Sequence, residues 1–428
     1  MTDAGAATAG PVTRGSVAKV GAATAVTALC GYAVLYLAAR DLDPAGFSVF
    51  GVFWGAFGLV TGAANGLLQE TTREVRSVRH AGHVVDAATS QHIRPLRVAG
   101  ATGAAAAVAT IGSSPLWSGW VFVEARWLSV VLLGIGLAGF VMHATLLGML
   151  AGADRWTQYG ALMVTDAVIR VMVAAAAFVI GWGLIGFLWA TVAGAVAWLV
   201  MLIGSAATRD AARIVTPVST AAFLRGAAHS ITAAGASAIL VMGFPVLLQT
   251  TYGELGAEGG VIILAVTLTR APLLVPLTAM QGNLIAHFVD QRDRRVRALI
   301  APAAIIVAVG TVGVLAAGLL GPWLLRAAFG AEYDAGSTLL AALTSAAVAI
   351  ALLTLTGAAA VAAALHRAYA LGWVAATVVS TSLLLLPMDL STRAAVALLC
   401  GPLVGIVVHL TALRTEAATG SASPPAAR

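Results

Sequence analysis

Two arginines, Arg170 and Arg270, lie in the middle of long apolar runs. Arg270 belongs to the stretch VTLTRAPLLVPLTAMQG, residues 266–282, and no acidic residue lies within one helical turn of it. A charge at the centre of a bilayer costs roughly 2.5 to 3.5 kcal/mol, so a retained charge usually faces protein or a water-filled cavity. Arg270 therefore needs a partner on another segment or an anionic ligand.

Two prolines, Pro272 and Pro276, follow Arg270 within two helical turns. A proline inside a helix removes a backbone hydrogen bond, and in transporters such breaks accompany bending points and exposed polar backbone. We interpret both prolines as hinge candidates, with a simple packing kink as the alternative.

Arg170 differs from Arg270 because an acidic residue, Asp166, precedes it by four positions. Residues four apart are neighbours on a helix, so the two charges can neutralise each other as a structural pair. The alternative is a functional role: Asp166 is then the ion-coupling candidate and Arg170 contacts the substrate. A permanently paired Asp166 would not titrate usefully.

Further polar side chains recur on the faces of three apolar segments at helical spacing. Together they predict a central aqueous cavity, in which an unpaired arginine would meet an anionic ligand. The candidate substrate-binding residues are Arg270, Arg170, Gln281, Asn65 and Gln69.

The composition shows which solvent surrounds these side chains. Hydrophobic residues make up 60% of the chain, charged residues only 10%, and the mean hydropathy is +0.94. About 20 apolar residues cross a hydrocarbon core, and helices satisfy their own backbone there. The sequence therefore predicts an all-α polytopic membrane protein of twelve transmembrane helices: 17–39, 47–68, 96–114, 127–150, 157–180, 184–207, 229–250, 260–284, 299–320, 337–360, 369–388 and 392–413.

Basic residues in the connections predict the orientation of these spans. Of the 24 arginines and lysines, eighteen fall on the side of the two termini and four on the other side. Because basic loops stay in the cytoplasm, both termini are predicted to be cytoplasmic. The dominance of arginine over lysine and the many alanines hint at a bacterial genome, so we expect the cytoplasmic membrane of a bacterium.

The twelve spans divide into two sets of six, which enter the membrane in the same sense. Any repeat would therefore be parallel, and transporters of this kind bind substrate between the halves. We predict two parallel six-helix lobes around a central cavity. The predicted parts are a cytoplasmic tail (1–16), an N-lobe (17–208), a linker (209–228), a C-lobe (229–413) and a disordered tail (414–428).

The connections also argue against several function classes. The predicted outer loops are about ten residues long and provide no platform for a catalytic site. Phosphate-binding loops, zincin signatures and nucleophile elbows do not occur, so we expect no enzyme and no cofactor. The stretch HAGH, residues 80–83, is interpreted as a solvated helix rather than a metal site. The net charge of +6 reflects the cytoplasmic loops and predicts no nucleic-acid partner.

Four stretches resemble the multidrug/oligosaccharidyl-lipid/polysaccharide (MOP) flippase superfamily, and within it the actinobacterial polysaccharide-transporter-like members related to O-antigen and capsule flippases. The stretches begin DLDPAGFSVFGVF at 41, LLGMLAGADRWTQYG at 146, LTRAPLLVPLTAMQG at 268 and AFGAEYDAGSTLLAAL at 328. The resemblance covers nearly the whole chain in the same order.

The resemblance implies two lobes that rock between inward-open and outward-open states. It also implies export of a polyprenyl-diphosphate oligosaccharide or polysaccharide precursor to the outer leaflet, with the bilayer and glycan-assembly enzymes as partners. Two alternatives stay open. One is a cation-coupled multidrug exporter of the same superfamily, and the other is a non-transporting scaffold for envelope biosynthesis.

Overall fold

Each of the twelve predicted spans coincides with a helix or a pair of helices in a computed structural model, which describes residues 14–80, 92–291 and 294–421. The helices of the first half are α1 (Arg14–Asp41), α2 (Pro44–His80), α3 (Pro95–Val121), α4 (Arg126–Gly152), α5 (Trp156–Ile180), α6 (Gly183–Ala193), α7 (Ala197–Gly204) and α8 (Ala206–Ala212). Those of the second half are α9 (Thr220–Val241), α10 (Phe244–Tyr252), α11 (Gly256–Ala279), α12 (Gln281–Asp290), α13 (Arg295–Ala298), α14 (Ile300–Phe329), α15 (Ser337–Ala362), α16 (His366–Leu384) and α17 (Leu390–Ser421).

Most of these helices are long and apolar enough to cross a bilayer. Within the described ranges nine spans meet that requirement, and the bent pair of α9 and α10 provides a tenth. The remaining two predicted spans are α3 and α16, in which glycine, serine and threonine lower the hydropathy. The predicted fold class is confirmed.

Capping residues and tight turns determine where several helices begin. Asp43 accepts a hydrogen bond from the backbone N–H of Gly46 at 2.7 Å, and Pro44 occupies the first position of α2. Such a side-chain cap satisfies one of the free N–H groups of a first turn, and proline has none to lose there. The GWG stretch, residues 181–183, forms a tight turn between α5 and α6, with positive φ at Gly181 and Gly183.

Three of the predicted spans are broken within the membrane. A short 3₁₀ segment, Gly194–Val196, separates α6 from α7, and α9 meets α10 at 63°. The third break, at Met280, separates α11 from α12. Pro272 and Pro276, the predicted hinge residues, both lie inside α11. The chain therefore breaks four residues after Pro276 rather than at either proline.

Glycines let α2 of the first half pack closely against the second half. Near the start of α2 a Cβ on Gly51 would meet Ile263 of α11, and just past its middle one on Gly66 would overlap the backbone of Ile231 in α9. Between them, a Cβ on Gly62 would meet Ala238 at 2.7 Å. Helices approach this closely only where small residues line the contact.

The two halves also have their own internal packing. In the first half α2 and α3 pack on α4, and α1 packs on α5; in the second half α15 packs on α14 and α17, and α16 packs on α17. We call the side of the molecule with residues 42–43 and 330–336 the α1–α2 end, and the opposite side, where residues 14 and 421 lie, the terminal end. The arginine count predicts that the α1–α2 end is outer.

Some helices extend beyond their predicted bounds. The predicted disordered tail starts at 414, but α17 continues to Ser421, and Arg295 bonds both carboxylate oxygens of Glu416 at 2.9 and 3.1 Å. The structure therefore describes the first eight residues of the predicted tail, 414–421, as the end of α17. Helix α9 begins at Thr220, inside the predicted linker. The HAGH stretch falls mostly outside the described residues.

Candidate functional site

Arg270 lies midway along α11 and donates a hydrogen bond to the break between α9 and α10. Its Nη1 is 2.9 Å from the carbonyl oxygen of Val241. In a continuous helix the N–H four residues later would bond to that oxygen, but this position is Pro245, which has no N–H. Arg270 therefore replaces a hydrogen bond that the sequence of α10 removes.

The rest of the Arg270 side chain is enclosed, and one of its nitrogens has no acceptor. The residue is 8% exposed, and its guanidinium lies 5.6 Å from the ring centroid of Phe244. Nη2 is buried without a hydrogen-bond partner among the described residues. Tyr32 of α1, a helix that contacts α11, lies close enough to interact electrostatically with the Arg270 guanidinium. Arg270 thus lies between the two halves and keeps unused donor capacity.

Arg170 also donates to an interrupted helix, but each of its three guanidinium nitrogens has a partner. Nε and Nη2 bond to the two carboxylate oxygens of Asp166 at 3.0 and 3.1 Å, and Nη1 donates to the carbonyl of Thr191 at 2.7 Å. The 3₁₀ segment begins three residues after Thr191. The guanidinium also lies 5.3 Å from the ring of Phe57. This geometry favours the structural interpretation of the Asp166–Arg170 pair.

The sequence-based prediction did not include His143, which lies close to this pair. His143 of α4 is 3% exposed and stacks on Phe140, and its Nδ1 has no partner among the described residues. The His143 ring lies close enough to Asp166 and Arg170 to interact electrostatically with both charged groups. In the sequence His143 could have been noticed as a lone histidine in an apolar run. Only the packing of α4 against α5 shows that it lies near the Asp166–Arg170 pair.

The remaining candidate residues lie nearer the terminal end. Asn65 and Gln281 are half-buried, whereas Gln69 is exposed. Asn65 and Gln69 lie on α2, and Gln281 is the first residue of α12. The structure therefore separates the candidates into a buried group at the two arginines and a more open group of amides.

Glu70 is a carboxylate that the sequence-based prediction missed, because it lies off the face of α2 that carries Asn65 and Gln69. Helix α2 continues to His80, and Glu70 is only 2% exposed. A Cβ on Gly226 of α9 would overlap its carboxylate, and Arg73 bonds to it at 2.6 Å. Glu70 therefore lies at the contact between the halves near the terminal end.

Aromatic residues close the α1–α2 end. The hydroxyl of Tyr333 donates to the carbonyl of Leu42 at 3.0 Å, the Tyr333 ring packs edge-on against Phe47, and Phe329 packs on Tyr36. We call these five residues the aromatic closure. Burial, followed by the charges of Asp43 and Glu332, raises the pKa of Tyr333 above its usual range. The phenol therefore keeps the proton that it donates.

Two mycobacterial proteins are similar to the chain over nearly its whole length. The uncharacterized protein Mb3654 of Mycobacterium bovis is 74% identical over 411 residues, which are 96% of this chain and 95% of that protein. The uncharacterized protein Rv1510 of Mycobacterium tuberculosis is 69% identical over 415 residues, with the same two coverages. The chain belongs to the family of these mycobacterial proteins. No family model matches the chain.

Solved structures identify the fold of the family member. An inward-facing multidrug resistance MATE family transporter of the MOP superfamily matches with a TM-score of 0.70 at 15% identity, over 93% of this chain and 96% of that one. An outward-facing conformation of a MATE family transporter of the same superfamily matches with a TM-score of 0.61 at 14% identity, over 94% and 96%. The chain therefore has the same fold as these MATE family transporters. Membership of the MOP superfamily and the polysaccharide-flippase subtype remain predictions.

Proposed function

We propose that this protein is an alternating-access exporter that moves a lipid-linked, anionic glycan precursor from the inner to the outer leaflet of a bacterial cytoplasmic membrane. The MATE fold supports the alternating-access part, because solved structures of that fold are described in both inward-facing and outward-facing conformations. The arginine distribution supports the orientation, with both termini in the cytoplasm.

The observation that carries the proposal is the unused donor of Arg270. A buried guanidinium nitrogen without an acceptor is costly, so an acceptor in another state of the transport cycle would offset that cost. Arginine is well suited to a diphosphate, because its planar donors match phosphate oxygens in pairs. Arg270 lies on α11, which α1 of the other half contacts, so relative motion of the halves would uncover it.

The other candidate residues take different parts in this proposal. Asn65, Gln69 and Gln281 are closer to the terminal end, where a sugar would enter from the cytoplasm. Arg170 joins Asp166 to the carbonyl of Thr191, three residues before the 3₁₀ segment, with all three guanidinium nitrogens engaged. Asp166 stays an ion-coupling candidate only if a conformational change separates it from Arg170.

A multidrug exporter is the second candidate, because the matching solved structures are described as multidrug resistance transporters. A positively charged drug would be repelled by Arg270, so this candidate requires a neutral or anionic substrate at that position. A non-transporting scaffold is the third, and it requires that the aromatic closure stays shut throughout.

The experiment that tests the proposal is depletion of the protein in its native bacterium, followed by analysis of lipid-linked sugars with a membrane-impermeant sugar-oxidising reagent. The proposal expects a specific lipid-linked sugar to accumulate where the reagent cannot reach it. Restored labelling after re-expression of the intact chain is the control. Unchanged distribution of every lipid-linked sugar, together with altered drug resistance, would support the multidrug candidate instead.

A further inference from the structure

An apolar groove runs along the membrane-facing side of the second half, between α11, α14 and α15. Its volume is about 550 Å³, and along α14 its lining extends from Val309 to Phe329. Those residues are twenty positions apart, which is about 30 Å of helix. The groove is therefore about as long as the hydrocarbon core of a bilayer is thick.

Three helices form the walls of the groove. Its lining covers Ala265 to Leu273 on α11, Val309 to Phe329 on α14, and Leu340 and Thr344 on α15. Small residues on α14 create the space; a Cβ on Gly313, for example, would find only Thr344, at 3.5 Å.

The lining offers no free hydrogen-bonding side chain. Its two hydroxyls belong to Thr269 and Thr344, and each already donates to the carbonyl four residues earlier in its own helix, at 2.8 and 2.7 Å. Because both hydroxyls already donate a hydrogen bond, they do not require an acceptor from a bound molecule. A polar or charged ligand would lose its hydration here without compensation, whereas a hydrocarbon chain would not.

Three features of the groove indicate which chain it holds. An acyl chain of one leaflet spans about half of the hydrocarbon core, whereas the groove spans nearly all of it. Its α11 wall includes Thr269, which directly precedes Arg270 in the chain, and Pro272. Its other end reaches Phe329 of the aromatic closure. We propose that the groove binds the polyprenyl tail of the lipid-linked substrate while the diphosphate reaches Arg270.

This inference rests on the proposed function for the source of the chain, and it adds a path for the tail. The tail stays in contact with lipid along α14, since most of that helix faces the bilayer and few of its residues are buried. Contact with Phe329 would couple the bound tail to the aromatic closure, so that tail binding and opening of the α1–α2 end influence each other.

The test is photocrosslinking of the full chain in vesicles of phosphatidylethanolamine and phosphatidylglycerol that contain a long-chain polyprenyl diphosphate. A benzophenone amino acid replaces Leu320, which lines the groove, or Leu319, which is 80% exposed and does not line it. We expect polyprenyl adducts at position 320 to exceed their share of the vesicle lipid several-fold, and those at 319 to match it. Phospholipid adducts in bulk proportion at both positions, or crosslinks to a second copy of the chain, would overturn the proposal.

A second arm fills the groove. Ala316→Trp places a large ring among the lining residues, and Ala308→Trp places the same ring on an exposed residue of α14 outside the lining. We expect only Ala316→Trp to reduce both the polyprenyl adduct at position 320 and glycan export. Normal export by an abundant Ala316→Trp protein would contradict the proposed path.

The two proposals can fail separately. If Arg270→Gln blocks export while position 320 crosslinks only bulk phospholipid, the groove is wrong and the proposed function stands. If position 320 selects the polyprenyl chain while Arg270→Gln exports normally, the groove stands and the diphosphate site is wrong. The crosslinking experiment needs no substitution in the groove other than the probe. It therefore tests polyprenyl binding even if Ala316→Trp does not fold.

Discussion

Arg270 donates a 2.9 Å hydrogen bond to the carbonyl of Val241, the carbonyl that Pro245 leaves without its helical donor. The two residues are on different helices and are 29 positions apart in the chain. One charged side chain thus stabilises a bend in α9–α10 and still has an unengaged nitrogen among the described residues.

The first prediction concerns this bond and its dependence on Pro245. Arg270→Leu removes the donor and leaves the Val241 carbonyl unpaired, which we expect to cost about 1–3 kcal/mol of unfolding free energy. In a Pro245→Ala background the restored N–H can bond to Val241, so the same substitution should cost less. Denaturant unfolding in detergent gives the unfolding free energies of the original protein, the two single variants and the double variant. Equal costs in both backgrounds would show that the two groups are not coupled.

The second prediction concerns the Asp166–Arg170 pair. Their side chains are only 12% and 14% exposed, so removing one charge leaves the other buried without a partner. Asp166→Asn and Arg170→Gln should each destabilise the protein by roughly 3–5 kcal/mol. The double variant should cost several kcal/mol less than the sum, as measured by the same unfolding experiment. Additive effects would contradict the structural pairing and would favour a separate role for Asp166.

The spans were predictable from the sequence, whereas the breaks within them were not. Apolar length determines where a helix can cross a bilayer, and it placed all twelve segments. The bend at α9–α10 depends on Pro245, which lies three residues after Met242 in an apolar run that resembles an unbroken span. Pro272 and Pro276 gave a stronger sequence signal, yet α11 continues through both.

The same distinction applies to the candidate site. The four-residue spacing of Asp166 and Arg170 made their pairing foreseeable. The carbonyl partner of Arg270 lies on another helix, and no spacing within α11 indicates it. Glu70 was missed because it lies off the α2 face of Asn65 and Gln69, and its contact with Gly226 of α9 joins segments far apart in the chain. Packing between helices decides such contacts, and a single sequence does not record it.

A third prediction concerns the aromatic closure. Tyr333→Phe keeps the ring packing and removes the hydrogen bond to Leu42, which is worth about 0.5–1.5 kcal/mol. We expect the open fraction of the α1–α2 end to rise about two- to tenfold. Spin labels at Arg40→Cys and Glu332→Cys measure this by their distance distribution. The Tyr252→Phe variant, at the same end but outside the closure, is the control, and an unchanged distribution in Tyr333→Phe would contradict the prediction.

A fourth prediction concerns the glycine contact between α2 and α9. A Cβ on Gly66 would overlap the backbone of Ile231, so Gly66→Ala must separate the helices and should cost about 1–3 kcal/mol. A Cβ on Gly31 of α1 would have no atom within 4 Å, so Gly31→Ala should stabilise its helix by about 0.5–1 kcal/mol. Thermal unfolding midpoints should therefore shift in opposite directions. A tolerated Gly66→Ala would contradict the close contact.

The most direct test of the central claim is glycan export by an Arg270→Gln protein whose abundance in the membrane matches that of the unchanged chain. Glutamine can still donate to Val241 but carries no charge for a diphosphate. The account predicts export reduced at least about tenfold, corresponding to the loss of one charged hydrogen bond of roughly 1.5–3 kcal/mol, whereas Arg225→Gln, an exposed arginine near the terminal end, exports normally. Full export by Arg270→Gln would contradict the claim that an anionic group passes this arginine.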